Sequence, residues 1–158
     1  MHRLNPISPL WSKKPIRKEF GPYTIEEVNS NALASYSFRK GTERDAKKNV
    51  EQFMEGSLPD IMSCKFGKIS SFWIGPSQWL IEAPIDIYEN LAGELAQISA
   101  GTASVTEQTD AWCRFDLMVL TWLNLSLCYV MLMYLRLKAV RLRAVKWIIW
   151  DAFLFVVI

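Results

Sequence analysis

The sequence predicts an α+β fold, an α/β sandwich in which two helices cover one face of an antiparallel sheet. Two observations support this prediction: short β-branched and aromatic runs bounded by Gly or Pro, and amphipathic stretches with apolar residues three and four positions apart. The chain has 158 residues, of which 51% are hydrophobic and 22% charged, so it is long enough for one domain plus additional segments. This composition excludes a disordered or collagen-like chain, and a net charge of +2 gives no indication of nucleic-acid binding.

The first predicted elements are two extended runs followed by a helix. Tyr23–Val28 and Ala32–Phe38 have the composition of strands. Thr42 is then expected to cap a helix that runs to about Glu55, with acidic residues in its first turn. The apolar face of this helix is formed by Ala46, Val50 and Phe53.

A β-hairpin is predicted next, and a second helix follows it. The strands Ser70–Ile74 and Gln78–Glu82 flank a three-residue turn, Gly75-Pro76-Ser77. The helix is expected to run from Asp86 to about Ile98, because its apolar residues recur at helical spacing.

Two more short strands, Ser104–Gln108 and Trp112–Leu117, complete the predicted body. The order of elements is therefore strand, helix, hairpin, helix, strand. This is the β-α-β-β-α-β order of ferredoxin-like domains.

Three tryptophans are the candidate partner contacts. Trp73 and Trp79 lie six positions apart in the predicted hairpin, so the two-residue period of a strand places both on one face. Core packing is the first interpretation of this pair, and an aromatic contact for a partner protein is the alternative. Trp11 is the third candidate, because it lies in a proline-containing N-terminal arm that is expected to be extended.

No catalytic, cofactor-binding or metal-binding residues are predicted in residues 1–116. The histidine His2 lies in the arm, which excludes a His-based triad or a His-containing metal site in the body. Glu107 and Asp110 are close in sequence, but a solvated turn is the better interpretation because nothing nearby would separate their pKa values. The cysteines have no CxxC spacing and are expected to be free thiols: Cys64, Cys113 and Cys128.

Three consecutive segments carry a resemblance to a known family. They are FWIGPSQWLIEAP (Phe72–Pro84), IDIYENLAGELA (Ile85–Ala96) and SVTEQTDAWCRFDL (Ser104–Leu117). Together they resemble the gamma subunit of heterotetrameric sarcosine oxidase, in which a WxGPxxW hairpin precedes a helix and a V-T-E-Q-T/S-D segment leads into a short strand. The resemblance is ordered along the chain and covers about residues 20–117.

The resemblance implies a fold related to the folate-binding aminomethyltransferase domain and a place in a cytoplasmic complex that oxidises sarcosine to glycine. The implied partners are the alpha, beta and delta subunits of that complex. In this family FAD, FMN, NAD and zinc are held by the other subunits, so no cofactor is expected on this chain. The implied role is assembly of the complex, with the gamma surface buried against alpha.

The tail differs from the body in composition. Residues 1–116 contain 13 basic and 15 acidic residues, whereas residues 117–158 contain 5 basic residues and 1 acidic residue. Residues 117–135 have no charge, so they are a candidate transmembrane helix with a basic flank. The predicted organisation is an arm at 1–19, a gamma-like domain at 20–117 and an apolar, helical tail at 118–158.

A frameshift just after about Leu117 is the preferred explanation of the tail. The family continues with the runs L-C-N-V-D and D-H-M-G-C-F. The codons of Cys128–Tyr134 and of Trp147–Phe153, read from each third base, permit both runs in the correct order. Two other functions compete with the gamma-subunit interpretation: a tail-anchored membrane protein with a cytosolic interaction domain, and a free-standing folate-binding domain.

Overall fold

The computed structural model describes residues 14–21, 23–112, 114–119, 132–133, 146–150 and 153–157. In chain order the elements are β1 (Arg17–Phe20), β2 (Tyr23–Val28), β3 (Asn31–Phe38), α1 (Glu43–Met54), β4 (Cys64–Lys65), β5 (Ser70–Gly75), β6 (Gln78–Pro84), α2 (Leu91–Ser99), β7 (Ala103–Glu107), β8 (Arg114–Val119), β9 (Leu132–Met133), β10 (Lys146–Trp150) and β11 (Phe153–Val157). The described residues belong to two compact units, one at Ser30–Thr109 and one formed by the segments on either side of it.

The first unit contains a five-stranded sheet and both helices. The strands lie in the order β4-β5-β6-β3-β7, and all neighbours are antiparallel. Without the two-residue strand β4, the chain order is β3-α1-β5-β6-α2-β7, which confirms the predicted α+β, ferredoxin-like architecture. Its terminal strands are Asn31–Phe38 and Ala103–Glu107.

The core of this unit lies between the helices and one face of the sheet. The α1 residues predicted to face inward do so, because Ala46 and Val50 are fully buried and Phe53 packs against the same cluster. The other principal members of the core are Ala32, Ala34 and Tyr36 from β3, Trp79, Ile81 and Ala83 from β6, and Leu91 and Leu95 from α2.

Thr42 occupies the N-cap position of α1, but its side chain does not cap the helix. Its hydroxyl instead donates to the Thr102 carbonyl oxygen at 2.7 Å and lies 3.0 Å from that of Arg39. The Glu43 carboxylate accepts a hydrogen bond from the Gly41 N–H at 3.0 Å. The backbone N–H groups of Gly41 and Glu43 lower the pKa of this exposed carboxyl. The expected cap is thus replaced by a link between the helix start and the loop before β7.

Helix α2 begins at Leu91, five residues later than the predicted start at Asp86. The Pro84 carbonyl accepts from the N–H groups of Ile87 and Tyr88, so the chain makes turns before the helix. Tyr88 misled the prediction because it packs on the core from outside the helix, where its ring contacts Phe53 with centroids 5.8 Å apart.

Asn90 caps α2, and its removal is expected to cost about 0.5–2 kcal/mol. Its side-chain oxygen accepts from the Gly93 N–H at 3.1 Å, and an Asn90→Ala substitution leaves that donor without this acceptor. Urea unfolding of the purified chain measures the loss, with Asn90→Asp as the control that retains the oxygen. Equal midpoints for Asn90→Ala and the unsubstituted chain would show that the cap has no energetic role.

The β5–β6 turn is shorter than predicted. Gly75 belongs to β5 and pairs with Gln78, so the loop contains only Pro76 and Ser77. Ser77 has φ +57°, and proline followed by a residue with positive φ is typical of a type II turn. A Cβ at Gly75 would lie 3.3 Å from the Gln78 side-chain oxygen, so a larger residue there requires a small shift of that flexible side chain.

The second unit contains the antiparallel sheet β1-β2-β8. The predicted strand Trp112–Leu117 is displaced to Arg114–Val119, and it pairs with β2 instead of continuing the first sheet. The last residues of the predicted arm, Arg17–Glu19, lie in β1. Ile16 makes two hydrogen bonds with the buried Glu27. Its N–H donates to the Glu27 carboxylate at 3.1 Å, and its carbonyl accepts from the Glu27 N–H at 2.8 Å.

The described part of the tail consists of strands. Leu117–Val119 lie in β8 and Leu132–Met133 form β9, so the helix expected over 117–135 is not observed at these positions. Strands β10 and β11 are antiparallel, and β11 pairs in parallel with β9. Among the described residues, no helix has both the length and the apolar character needed to cross a membrane.

Candidate partner-contact site

The β5–β6 hairpin places two of the candidate tryptophans opposite each other. Trp73 and Trp79 are directly paired across the strands, and both side chains pack with the helix-side core. This confirms the prediction that they share one face of the sheet. A bulge between Trp73 and Gly75 then shifts the register before the turn.

Trp79 is used almost entirely within its own unit. Its side chain is 9% exposed, its indole N–H donates to the Pro59 carbonyl at 3.1 Å, and its ring lies 4.5 Å from that of Phe38. Buried Trp requires such a partner for its N–H. These contacts support the core-packing interpretation for Trp79.

Trp73 is half-buried and retains accessible surface. Its backbone N–H donates to the Ser63 carbonyl at 3.1 Å, which joins the hairpin to the chain before β4. Trp11 lies outside the described residues. The role of these tryptophans in partner contact stays a prediction.

A buried hydroxyl network joins the sheet to both helices. The Tyr36 hydroxyl donates to the Ala46 carbonyl in α1 at 3.0 Å and accepts from the Ser99 hydroxyl of α2 at 3.1 Å. The Ser99 hydroxyl also lies at hydrogen-bond distance from the Leu95 carbonyl. Burial raises the pKa of Tyr36, while hydrogen bonds to Ser99 and Thr102 partly oppose that effect. The network therefore has a structural role, with the phenol kept neutral.

Tyr36→Phe is expected to cost about 1 kcal/mol at neutral pH, because it removes two buried hydrogen bonds with little change in shape. It should also weaken the alkaline loss of stability. The phenol has a higher pKa in the folded chain than its ordinary 10.0, so the unfolded chain releases its proton first and the free energy of unfolding falls above pH 10.0.

Urea unfolding at neutral pH and above the ordinary phenol pKa measures both effects of Tyr36→Phe. Tyr88→Phe is the matched control, since it retains the Tyr36 phenol and should retain the alkaline decline. If the free energy of unfolding of Tyr36→Phe falls with alkaline pH as steeply as that of the unsubstituted chain, the decline does not arise from the Tyr36 phenol.

The Val105–Asp110 segment fixes the end of β7 to β3. The Gln108 N–H donates to the Leu33 carbonyl at 2.8 Å, and the Leu33 N–H donates to the Thr109 hydroxyl at 3.0 Å. The exposed Glu107 carboxylate accepts from the Thr109 N–H at 3.0 Å. Glu107 therefore stabilises a turn, in agreement with the preferred reading of the Glu107 and Asp110 pair.

Sequence reasoning missed an exposed apolar segment at the opposite edge of the sheet, residues Ile61–Lys68, which we term the β4 segment. Ile61, Met62 and Phe66 are 74%, 60% and 49% exposed. The only sequence signal was apolar residues without helical or strand periodicity, next to Lys65 and Lys68. This segment is a second candidate contact surface.

The described residues offer little that fits a redox or metal centre. Within them, no group of three or more His, Cys, Asp or Glu side chains is arranged to hold a metal ion. Cys64 is a free, half-buried thiol, and burial raises its pKa, which lowers its reactivity. Cys113 and Cys128 lie outside the described residues.

The chain is similar to known proteins at the level of solved structures. No protein-family model and no curated protein matches the chain. Among solved structures, the chain is similar to a heterotetrameric sarcosine oxidase from Corynebacterium sp. U-96 in complex with pyrrole 2-carboxylate, with 17% sequence identity and a TM-score of 0.47. The match covers 61% of this chain and 49% of that chain, so this chain spans about half the length of the protein it matches.

Proposed function

We propose that this chain is a non-catalytic, gamma-type subunit of a heterotetrameric sarcosine oxidase complex. The observation that carries the proposal is the ordered set of motif residues, of which the W-I-G-P-S-Q-W and V-T-E-Q-T-D runs occur in family order. In this proposal the chain acts by binding other subunits and supporting assembly. The oxidation of sarcosine to glycine takes place on the partner subunits.

The positions of the motif residues support this proposal. W-I-G-P-S-Q-W forms the β5–β6 hairpin, where Trp79 fills the core and Pro76 and Ser77 form the tight turn. V-T-E-Q-T-D leads out of β7, where Gln108 and Thr109 bind the backbone of β3. The motif residues thus determine the shape of the domain, which is the property a structural subunit needs.

Several polar groups of the first unit serve the fold as well. Tyr36 and Ser99 bind each other and backbone carbonyls in the core. Glu107 stabilises the turn after β7, and Asn90 caps a helix. These uses support a binding role for the chain more than a catalytic one.

The proposal includes the origin of the tail. Residues 118–158 are the second half of the subunit translated in a shifted frame, and the shift lies just after the codon of Leu117. The support is that the possible codons of Cys128–Tyr134 and Trp147–Phe153 permit two family runs in one shifted frame. Resequencing the gene tests this: a verified single frame that encodes the tail, and no inserted or deleted base relative to related genes, excludes the frameshift.

Co-purification tests the assembly role. The full 158-residue chain carries an affinity tag and is co-expressed with the alpha, beta and delta subunits encoded in the same genome. The proposal predicts that the eluate contains the large subunits and shows the visible absorption of bound flavin. An unrelated tagged ferredoxin-like domain is the control. An eluate with the tagged chain alone would exclude the proposed role.

A further inference from the structure

The β4 segment concentrates exposed apolar surface. Four large hydrophobic side chains are exposed among the described residues, and three of them, Ile61, Met62 and Phe66, lie within six positions. Soluble proteins rarely expose apolar side chains in such a cluster unless it contacts another molecule. Phe66 is held in place by an edge-to-face contact with the buried Phe72, with ring centroids 5.6 Å apart.

A cavity of about 270 Å³ lies beside this segment. One side is lined by Lys65–Ile69 and the other by Met54–Ser57 at the end of α1. The cavity is therefore lined by apolar residues and two lysines, and its volume suits a side chain from a partner.

The charges at the cavity favour an acidic partner. Lys65 and Lys68 line it together with one carboxylate, Glu55. Lys65 donates a hydrogen bond to the Ser57 hydroxyl, and within the described ranges neither lysine forms an ion pair. Asp60 lies in the chain just before the β4 segment, outside the cavity lining. Two ammonium groups against one carboxylate leave a net positive charge beside the apolar cluster.

Strand β4 adds a way to bind an extended chain. Among the described strands it is the outermost of the first unit's sheet, and β5 is its one neighbour there. An open sheet edge offers backbone donors and acceptors to an incoming strand, and lysine on such an edge disfavours non-specific pairing. An acidic, apolar strand can pair with this edge, because its backbone offers the missing hydrogen-bond partners and its carboxylates offset the charge of the lysines.

We infer that the β4 segment is the docking surface for an extended, acidic and apolar segment of the alpha subunit, an inference that rests on the proposed function. The partner's backbone pairs with β4, and its apolar side chains cover Ile61, Met62 and Phe66. One of its carboxylates enters the cavity beside Lys65 and Lys68.

The test measures binding of the full chain to the purified alpha subunit from the same genome. The double substitution Lys65→Glu and Lys68→Glu is expected to weaken binding at least about tenfold, since like charges then face each other. Lys47→Glu with Lys48→Glu on α1 makes the same change in net charge at two exposed positions, and it should leave the affinity within about twofold. Thermal unfolding of each variant establishes that it is folded.

Hydrogen exchange gives a second readout that does not depend on substitution. In the complex the backbone amides of Ile61–Phe66 should exchange at least about tenfold more slowly, as expected for a newly paired strand edge. The amides of residues 43–50 in α1, which lie outside the cavity lining, should be unchanged.

Each outcome decides between separate claims. If the chain binds alpha but the Lys65/Lys68 variant binds equally well and the β4 segment gains no protection, the docking surface is wrong and the subunit role stands. If the unsubstituted chain does not bind alpha, the subunit role fails and the inference fails with it. Lysine-dependent binding of the chain to phosphatidylserine vesicles, with no protection by alpha, would assign the surface to membranes and overturn the inference.

Discussion

Replacing Trp79 by Ala should destabilise the chain by about 3–5 kcal/mol. The side chain is 9% exposed, and its removal leaves a void beside Phe38 and an unpaired carbonyl at Pro59. The measurement is urea unfolding followed by far-ultraviolet circular dichroism. Low yield of folded protein would agree with the expected cost.

Two variants separate core packing from partner contact at the hairpin. Trp79→Phe retains an aromatic ring but loses the hydrogen bond to Pro59, so it should cost less than Trp79→Ala. Trp73→Ala affects a half-buried ring and should cost less as well. A Trp79→Ala chain with nearly unchanged stability would contradict the core assignment.

Replacing Leu95 by Ala should cost about 2–5 kcal/mol. Leu95 is fully buried where α2 packs on the sheet, and its carbonyl lies at hydrogen-bond distance from the Ser99 hydroxyl of the buried network. Because alanine is an excellent helix former, the loss reports packing rather than helix propensity.

Gln97→Ala in the same helix is the matched control for Leu95→Ala. Gln97 is exposed, so its substitution should change the free energy of unfolding by less than about 0.5 kcal/mol. Similar losses for both variants would show that α2 does not pack as described.

The order of elements in the first unit could be predicted because each element has its own local signal. The face of α1 follows from the spacing of Ala46, Val50 and Phe53, and the hairpin follows from Gly75 and Pro76 between aromatic runs. The start of α2 was wrong because Tyr88 belongs to the apolar pattern but reaches the core from a turn. Hydrophobic spacing reports burial, and burial does not require a helix.

The pairing of strands that lie far apart in the sequence could not be predicted from local sequence patterns. Strands β2 and β8 are about 90 positions apart, and nothing local to Tyr23–Val28 indicates that its partner is Arg114–Val119. Thr42 likewise resembles a helix cap until the fold brings the Thr102 carbonyl within 2.7 Å of its hydroxyl.

The candidate site was partly foreseen. Trp73 and Trp79 were singled out, and their shared face is confirmed, yet the burial of Trp79 depends on Pro59 and Phe38, which the sequence does not place beside it. The β4 segment was missed because exposure of apolar residues has no periodic pattern. The sheet edge and the cavity beside Lys65, which mark it as a candidate contact surface, are visible only in the folded chain.

Native mass spectrometry of the co-expressed subunits tests the assembly role most directly. If the chain is a structural subunit of a sarcosine oxidase complex, the spectrum contains a species whose mass equals one copy each of alpha, beta, delta and this 158-residue chain. Omitting the chain should lower the yield of the remaining assembly. A complex of alpha, beta and delta that forms equally well and never contains this chain would contradict the proposed role.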